Sequence, residues 1–363
     1  MKILLLSQVP PYFESHRKAN QDFPSFQAQS FWLKALRSLG HSVKVFKYSD
    51  PVVKNTRLVS RLSSLTEKKL PRIFSKYRLL RNKYYQYWPD NRIRSAKLDR
   101  YIRSFRPNLI IISGGVSELS GSAIRKIDRV HSKIFLLHGV HPDEGSTKYE
   151  RDFLKLIDCV ITNDPNHARA WQKAGAKNAV AVPYVGIDPE YHTDLGLERK
   201  KNLLFLGTLF QERQDFFIEL LSLRTDFELY GHLPTGVSLD PRLRPYYKGE
   251  VWGKEMVKLF SQAKMVINLV PSHMQTGGNM RTFEIPGCGS LQLANRCPSK
   301  WFEADKEIVL FSDYKELASK ATYYLENENE RLAIAKAGYQ RAHKDHTYRQ
   351  RFSKILKLVS SSQ

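Results

Sequence analysis

Short apolar runs, each stopped by a glycine, a proline or a polar residue, recur along this chain. Runs of this kind are typical of buried strands. In the first half they fall at 3–6, 41–46, 109–112, 134–137, 159–162 and 180–183, and in the second at 203–206, 227–230, 265–270 and 290–293. Segments of helical spacing lie between or after them, at 26–39, 167–173, 252–263, 313–327, 330–344 and 348–359. The alternation predicts an α/β fold with parallel sheets.

The two series of strands are separated by a polar segment at 183–201, which contains Gly186, Pro189 and Gly196. The chain's 363 residues are enough for two domains of roughly 150 residues each. We therefore expect a first domain at 1–186, a second at 199–345, and a C-terminal helix within 346–363 that returns toward the first domain. Two α/β halves of this kind leave the cleft between them as the natural site for a ligand.

The stretch 268–295, NLVPSHMQTGGNMRTFEIPGCGSLQLAN, carries the clearest chemistry. It reads as the end of a strand, a loop with Gly277 and Gly278, a short helix over 280–285, and a second strand. Backbone N–H groups at such a loop and helix start suit a phosphate. Arg281 adds a fixed positive charge, and Glu284 could accept hydrogen bonds from ribose hydroxyls. A tight connection with a solvated Arg/Glu pair explains the same residues, and both interpretations stay open.

Polar residues also follow the strands predicted in the first half. Ligands in open α/β sheets sit at the carboxyl ends of the strands, which makes Glu118, His138 and Asp143 candidates for a cleft wall. His138 could act in acid–base chemistry, although a structural histidine is an equally open interpretation. No third ligand suits a metal beside His138 and His141, so no metal is expected. The first loop lacks G-x-G-x-x-G, which argues against a dinucleotide-dependent dehydrogenase.

The charge balance is strongly basic, with 58 Lys and Arg against 36 Asp and Glu, a net of +22. Such a field attracts nucleic acid, anionic membrane or phosphorylated ligands. Thirteen of the basic residues lie at 68–106, interleaved with aromatic residues, a pattern found in helices that lie on membranes. A solvated helix covering the sheet explains this segment as well, and nucleic acid lacks an accompanying motif.

The sequence shows neither a membrane span nor a disulfide framework, and both observations bear on the compartment in which the protein works. No apolar run approaches the ~18 residues of a membrane span, and three cysteines are too few for a disulfide framework. We expect a cytoplasmic protein, with peripheral docking on the inner face of the membrane left open.

Three stretches resemble a known family: VPYVGIDPEYH at 182–192, RTFEIPGCGSLQLAN at 281–295, and KEIVLFSDYKELASKATYYLENENERLAIAKAGYQRAHKDHTY at 306–348. They resemble the CgeB-like, "group 1" branch of the GT-B glycosyltransferases. The resemblance covers the C-terminal half well and the N-terminal half only by architecture. It implies two Rossmann-like domains facing across a cleft, with a C-terminal crossing helix. The second domain would bind a nucleotide-diphosphate sugar, and the first domain the acceptor.

The family resemblance also implies roles for single residues. Glu284 matches the second glutamate of a paired-glutamate motif, the one that holds the ribose, whereas the first falls at Thr276, which has no charge. Gly277, Gly278 and Asn279 match the backbone that meets the diphosphate and the sugar. Arg213 stands where the family usually offers a lysine to the phosphates. The expected donor-binding residues are Gly207, Thr208, Arg213, Tyr230, Thr276, Gly277, Gly278, Asn279, Arg281 and Glu284.

The expected reaction moves a sugar from this donor to a hydroxyl of a glycan or lipid-linked acceptor, in cell-surface glycan synthesis. Neither a metal nor another cofactor is required, because two arginines can stabilise the departing diphosphate. The resemblance to retaining group 1 enzymes favours retention of configuration, in which the leaving phosphate can take the acceptor proton. Inversion needs a base, for which His138, Asp143 and Glu118 are the candidates.

Two alternatives remain at this point. A non-catalytic protein with the GT-B scaffold could bind nucleic acid or another polyanion through its basic surface. An enzyme of the same fold could instead be a phosphorylase or a nucleotide-sugar epimerase.

Overall fold

A computed structural model describes residues 1–7, 24–47, 89–113, 131–142, 153–223, 225–234 and 236–360. The chain divides into two compact units. The second comprises Val185–Arg351 together with residues 24–27, and the first comprises the other described residues. Each unit is built on its own parallel sheet, which confirms the predicted α/β class with two Rossmann-like domains.

The first unit contains a sheet of six parallel strands in the order β2-β1-β3-β4-β5-β6. Its central strands bury consecutive residues, with Ile3 to Leu6 and Leu109 to Ile112 fully excluded from solvent, as expected for a parallel sheet buried on both faces. The strands and helices are β1 (Lys2–Ser7), α1 (Pro24–Ser38), β2 (Ser42–Lys47), α2 (Pro89–Phe105), β3 (Leu109–Ser113), β4 (Lys133–Leu137), β5 (Cys159–Thr162), α3 (Pro165–Lys173) and β6 (Ala179–Ala181).

The second unit contains a sheet of five parallel strands in the order β11-β10-β9-β7-β8. Its elements are β7 (Lys201–Leu206), α4 (Gln211–Leu221), β8 (Glu228–Tyr230), α5 (Gly253–Ser261), β9 (Ala263–Asn268), α6 (Arg281–Gly287), β10 (Leu291–Ala294), β11 (Val309–Leu310), α7 (Tyr314–Glu326) and α8 (Glu328–Asp345). The last helix, α9 (Tyr348–Ser360), begins in this unit, and its residues from Phe352 on belong to the first.

The strand order of the second unit marks where a ligand would bind. The chain runs from β7 to β8 on one side and then returns to β9 on the other side of β7. Open α/β sheets bind ligands at such a reversal of strand order, beside the carboxyl ends of the strands. In this unit the position lies beside Gly207, which follows β7, and Asn268, which ends β9.

Two glycines allow the backbone to pass closely at this point. Gly231, which follows β8, has φ +140°, and a Cβ there would lie 1.7 Å from the carbonyl oxygen of Gly207. The N–H of Gly207 donates to the carbonyl of Tyr230 at 3.0 Å, and the N–H of Leu209 donates to the carbonyl of His232 at 2.8 Å. The loop after β7 is therefore held against the end of β8 by backbone contacts that exclude a side chain.

Helix α6 contains a proline. The pattern predicts a helix over 280–285 that ends near Pro286 and Gly287, and the helix runs from Arg281 to Gly287. A proline inside a helix lacks the N–H that would bond the carbonyl four residues earlier. That carbonyl belongs to Thr282, and it accepts instead from the buried side-chain amide of Gln292 at 3.4 Å. The neighbouring strand β10 thus supplies the missing donor.

Two other predicted segments are clarified by the structure. From Val185 on, the polar segment at 183–201 belongs to the second unit, where Ile187 exchanges backbone hydrogen bonds with His346 and Tyr348. Most of the basic stretch at 68–106 lies outside the described residues. Its last part is α2, whose Leu98, Ile102 and Phe105 pack in the core of the first unit.

Among the described residues, no helix combines the length and apolar character needed to cross a membrane.

Replacement of Gly231 by alanine tests the close passage of the backbone. We expect Gly231→Ala to lower the free energy of unfolding by more than about 3 kcal/mol, since the new Cβ meets a carbonyl that cannot move without displacing β7. Gly196→Ala is the control, because Gly196 has φ +64° but open space around it, and should cost only about 1 kcal/mol. Denaturant unfolding measures both. Equal losses would show that backbone conformation alone, and not the contact with Gly207, requires the glycine.

Candidate active site

A pocket of about 270 Å³ opens beside the carboxyl ends of β7 and β9. It combines two guanidinium groups, three aromatic rings and two side-chain amides, and none of its lining residues carries a carboxylate. The lining residues are Phe205, Leu206, Gly207, Thr208, Phe210, Arg213, Gly231, Val251, Trp252, Asn268, Leu269, Pro271, Asn279, Met280 and Arg281. An electropositive cavity of this composition suits a ligand with both an anionic group and an apolar or planar part.

Arg213 reaches the pocket from the first turn of α4. Its Nη1 donates to the carbonyl of Thr208 at 2.8 Å and its Nη2 to that of Leu269 at 2.6 Å. The guanidinium lies over the rings of Phe205 and Phe210, at 5.4 and 5.8 Å from their centroids. Burial lowers the pKa of Arg213 to about 10, and the charge of Arg281 contributes in the same direction. The group therefore stays protonated at neutral pH, and its carbonyl partners orient it without neutralising it.

Arg281 is the first residue of α6 and forms the second cationic wall. Its Nε donates to the carbonyl of Leu206 at 3.2 Å, and its Nη1 contacts the Sδ of Met256 at 3.0 Å and a carboxylate oxygen of Glu284. The guanidinium also lies 5.6 Å from the ring centroid of Phe260. These contacts occupy Nε and Nη1. Nη2 has no hydrogen-bond partner within the part of the chain that the structure describes.

Glu284 lies one turn after Arg281 and is only 2% exposed. One carboxylate oxygen bonds Arg281, and the other lies 3.7 Å from Nε2 of His192. Burial disfavours the charged form, but Arg281 and His192 outweigh it and lower the pKa of Glu284 to about 2. The carboxylate is thus ionised at neutral pH and committed to these two partners.

A network of side-chain amides fixes the loop before α6. Asn268 accepts a hydrogen bond from Nδ2 of Asn279 at 2.9 Å and donates to Oε1 of Gln292 at 3.1 Å. The side-chain oxygen of Asn279 in turn accepts from the backbone N–H of Thr282 at 3.1 Å. Asn279 therefore caps α6, whose preceding residue Met280 makes no side-chain cap of its own. The network also sets the orientation of Asn268 and Asn279 where they line the pocket.

Comparison with known proteins finds a family model and a curated relative that are similar to this chain. The family model described as "Glycosyl transferase-like" matches residues 213–357. The chain is 26% identical over 205 residues to the spore protein CgeB of Bacillus subtilis (strain 168), a match that covers 52% of this chain and 63% of CgeB. The resemblance to CgeB-like proteins predicted from the sequence is confirmed, although the chain spans less than two thirds of this relative's length.

Solved structures show which fold this chain shares. Sucrose-phosphate synthase from Thermosynechococcus elongatus is similar with a TM-score of 0.64 and 12% identity, covering 100% of both chains. Anabaena HepE in complex with UDP-glucose is similar with a TM-score of 0.58 and 14% identity, covering 99% of this chain and 100% of that one. At such identities the likeness shows the fold alone, and that fold is GT-B, as predicted.

The structure brings half of the predicted donor-binding residues to the pocket of the second unit. Those that line it are Gly207, Thr208, Arg213, Asn279 and Arg281. The remaining ones lie beside it or face elsewhere, and they are Tyr230, Thr276, Gly277, Gly278 and Glu284.

Local contacts explain why these remaining residues do not line the pocket. The hydroxyl of Tyr230 donates to Glu228, which also pairs with Lys201 at 2.6 Å, so Tyr230 does not line the pocket. Gly278 packs so closely that a Cβ there would lie 2.7 Å from the ring of Trp301. Gly277 is buried in the same loop, whereas Thr276 is exposed. Glu284 is buried against Arg281 and contributes no surface to the pocket.

Of the three acid–base candidates in the first unit, only His138 is described. Its Nδ1 lies 3.3 Å from both the N–H and the carbonyl oxygen of Val140, and its ring packs against Trp171 at 4.9 Å. Burial lowers the pKa of His138 to about 4, which makes the ring a weak base. These are the contacts of a core histidine. Glu118 and Asp143 lie outside the described residues.

Metal ligation was not expected from the sequence. Within the described residues, no group of three or more His, Cys, Asp or Glu side chains is arranged to hold a metal ion.

Sequence reasoning missed several residues of the site. Four of them line the pocket but are apolar residues near strand and helix ends, where a sequence pattern indicates only core packing: Phe205, Phe210, Trp252 and Met280. Asn268 gave a usable signal, since it is the one polar residue within the apolar run 265–270. His192, which contacts Glu284, closes the stretch VPYVGIDPEYH that carried the family resemblance.

The ionised state of Glu284 makes stability depend on pH. Because its pKa is lowered from 4.5 to about 2 in the folded protein, its charge stabilises the fold above pH 4.5, on the order of 3 kcal/mol. This contribution is lost as the pH falls from about 4.5 toward 2. We expect Glu284→Gln to lose stability at pH 7 and the gap to the wild type to narrow below pH 4.5.

Thermal unfolding across this pH range measures the gap between the two proteins. Glu198→Gln is the control, because Glu198 is highly exposed beside Lys200, and should follow the wild type at every pH. A gap for Glu284→Gln that stays constant between pH 7 and pH 3 would contradict the assigned ionisation.

Proposed function

We propose that this protein is a glycosyltransferase that moves a sugar from a nucleotide-diphosphate sugar to a hydroxyl acceptor. The observation that carries the proposal is the convergence of Arg213 and Arg281 on one pocket that lacks a carboxylate. That pocket lies where strand order reverses in the second unit, the position at which α/β sheets bind ligands. The similarity to HepE, whose solved complex contains UDP-glucose, supports a donor of this class.

The chemistry requires stabilisation of a leaving diphosphate. As the bond from the sugar to the diphosphate breaks, negative charge grows on the phosphate oxygens. Fixed positive groups aimed at that point lower the barrier, because they do not need to reorganise during the reaction. A guanidinium can bind two phosphate oxygens in a planar fork. Arg213 and Arg281 would supply this charge, which is why we propose a reaction that does not require a metal.

Stereochemistry and acceptor follow from the same arrangement. We favour retention, in which an oxygen of the leaving phosphate takes the acceptor proton and no protein base acts. His138 supports this choice, since its burial and low pKa make it a poor base. We propose a glycan or lipid-linked acceptor in cell-surface glycan synthesis. The basic and aromatic segment 68–106 supports it, since its charge suits the anionic lipid of an inner membrane face.

Binding of nucleotides to the purified protein tests the proposal. UDP, GDP, ADP, CMP and their sugar conjugates would be titrated calorimetrically, with and without a chelator. We expect one nucleoside diphosphate and its sugar conjugate to bind, with no effect of the chelator. Arg213→Met should weaken this binding roughly 10- to 100-fold, the usual value of a charge-assisted hydrogen bond to phosphate.

Arg242→Met provides the matched control. Arg242 is an exposed arginine of the same unit that pairs with Asp240 and does not line the pocket. Its replacement removes the same charge from the protein and should leave nucleotide binding unchanged. Equal losses in the two variants would indicate non-specific attraction of anions. Binding of nucleic acid without any nucleotide binding would favour a polyanion-binding protein instead.

A further inference from the structure

The two halves of the chain differ in charge. Residues 185–351, which make up most of the second unit, contain 23 Lys and Arg against 22 Asp and Glu. All but one of the chain's net 22 positive charges therefore lie outside this range. The donor pocket does not account for them, because Arg213 and Arg281 belong to the nearly neutral half. The excess charge indicates a separate anionic partner of the first unit.

Basic residues of the first unit collect at the amino ends of its strands. Because all six strands are parallel, their amino ends share one edge of the sheet. Cations begin β1 and β4, and others lie in the segments that lead into β3, β5 and β6. The amino-edge cluster, as we name it, consists of Lys2, Arg106, Lys133, Lys155, Lys173 and Lys177. Lys133 is half-buried, and the other five are exposed.

These cations are not balanced by carboxylates. None of the six forms an ion pair within the part of the chain that the structure describes. The same edge of the second sheet is different, since Lys200 pairs with Glu198 at 3.0 Å and Lys201 with Glu228 at 2.6 Å. Helix dipoles favour cations near the ends of helices in both units, so they do not explain a difference between the two edges.

Arg106 occupies a backbone conformation that a side chain disfavours. It follows the end of α2 with φ +51°, and its N–H donates to the carbonyl of Ile102 at 2.7 Å. Glycine or asparagine usually ends a helix in this left-handed conformation, because a Cβ is strained there. An arginine at such a position indicates a use for its charge outside the fold.

The layout of the cluster fits an extended surface. Neighbouring strands lie about 4.8 Å apart, so the cluster spreads over roughly 20 Å from β1 to β6. Lys173 ends α3, a helix packed on one face of the sheet, and gives the cluster depth as well as length. The Debye length at physiological salt is about 8 Å, so the fields of neighbouring cations add over the whole edge.

The composition of this edge distinguishes between anionic partners. The described segments that lead into the strands contain no Phe, Tyr or Trp: 39–41, 106–108, 131–132, 155–158 and 174–178. Proteins that bind single-stranded nucleic acid combine cations with aromatic rings that stack on the bases. A surface of anionic lipid needs no such rings, because Lys and Arg near it are attracted by charge alone.

We propose that the amino edge of the first sheet is a docking surface for an anionic lipid membrane. The lysines and arginine of the amino-edge cluster contact the phosphate headgroups together. Only Arg106 of this cluster belongs to the basic segment 68–106, so the surface is distinct from that segment. It is also separate from the donor pocket, and the inference does not rest on the proposed function.

Co-sedimentation of the full chain with lipid vesicles tests the inference. One set of vesicles contains phosphatidylglycerol and phosphatidylcholine, and the other phosphatidylcholine alone. An edge variant combines Lys133→Gln, Lys155→Gln, Lys173→Gln and Lys177→Gln. A control variant removes the same charge from exposed lysines of the second unit, with Lys200→Gln, Lys254→Gln, Lys300→Gln and Lys306→Gln.

We expect the wild type to bind only the anionic vesicles, and more weakly as salt is raised. The edge variant should bind them at least about 100-fold more weakly, because each cation near an anionic surface contributes roughly fivefold. The control variant should stay close to the wild type. Equal losses in the two variants would reveal a general effect of net charge and contradict the inference.

Other outcomes would overturn it as well. Full binding by the edge variant would assign the membrane contact to other basic residues. Binding of duplex DNA or polyphosphate by a wild type that ignores the vesicles would make the partner a soluble polyanion. Nucleoside diphosphate affinity should be the same in all three proteins, so failure of the docking surface is distinguishable from failure of the donor site.

Arg106→Gly separates the charge from the fold. Glycine adopts φ +51° without strain, so we expect an equal or higher free energy of unfolding. Binding to the anionic vesicles should nevertheless weaken about fivefold. This variant remains informative even if the edge variant fails to fold. A less stable Arg106→Gly that binds vesicles as well as the wild type would show a structural arginine and contradict its place in the surface.

Discussion

Two guanidinium groups share one partly buried pocket, and much of the second unit is arranged to hold them there. Like charges in a poorly solvated site repel, and both burial and Arg281 lower the pKa of Arg213. The two arginines are accommodated differently. Arg213 is surrounded by carbonyl dipoles and aromatic faces, which leave its full charge available. Arg281 is paired with Glu284, which limits the total charge while fixing the direction of the group.

The backbone provides the frame for these contacts. The carbonyls of Leu206 and Thr208 bond Arg281 and Arg213, so the turn after β7 orients both side chains. That turn is fixed in place by the contact between Gly207 and Gly231. On the other side, the amide network around Asn268 fixes the start of α6 and hence the position of Arg281. The pocket thus depends on strand ends and side-chain amides more than on the dipole of α6, which has only seven residues.

Much of this arrangement could be predicted from the sequence. Apolar runs located the strands, and the parallel order followed from their alternation with helices. Arg281 was identified because it follows a strand end and two glycines, whereas Arg213 was identified through the family resemblance. The direction of a side chain could not be read in the same way. Tyr230 and Glu284 occupy the predicted positions, but their polar ends bond Glu228 and Arg281 instead of lining the pocket.

Tertiary contacts of this kind also explain the helix that contains Pro286. Periodicity and proline rules describe a helix by itself, whereas here Gln292 on a neighbouring strand replaces the lost hydrogen bond. The family resemblance assigned Glu284 to the ribose by its place in a motif. In the structure its carboxylate contacts Arg281 and His192, partners that its place in the motif does not reveal.

The most direct test of the account is a crystal structure of the protein with a bound nucleoside diphosphate. The account predicts diphosphate oxygens about 2.7–2.9 Å from guanidinium nitrogens of both Arg213 and Arg281. A nucleotide bound away from these two arginines would contradict the proposed donor site.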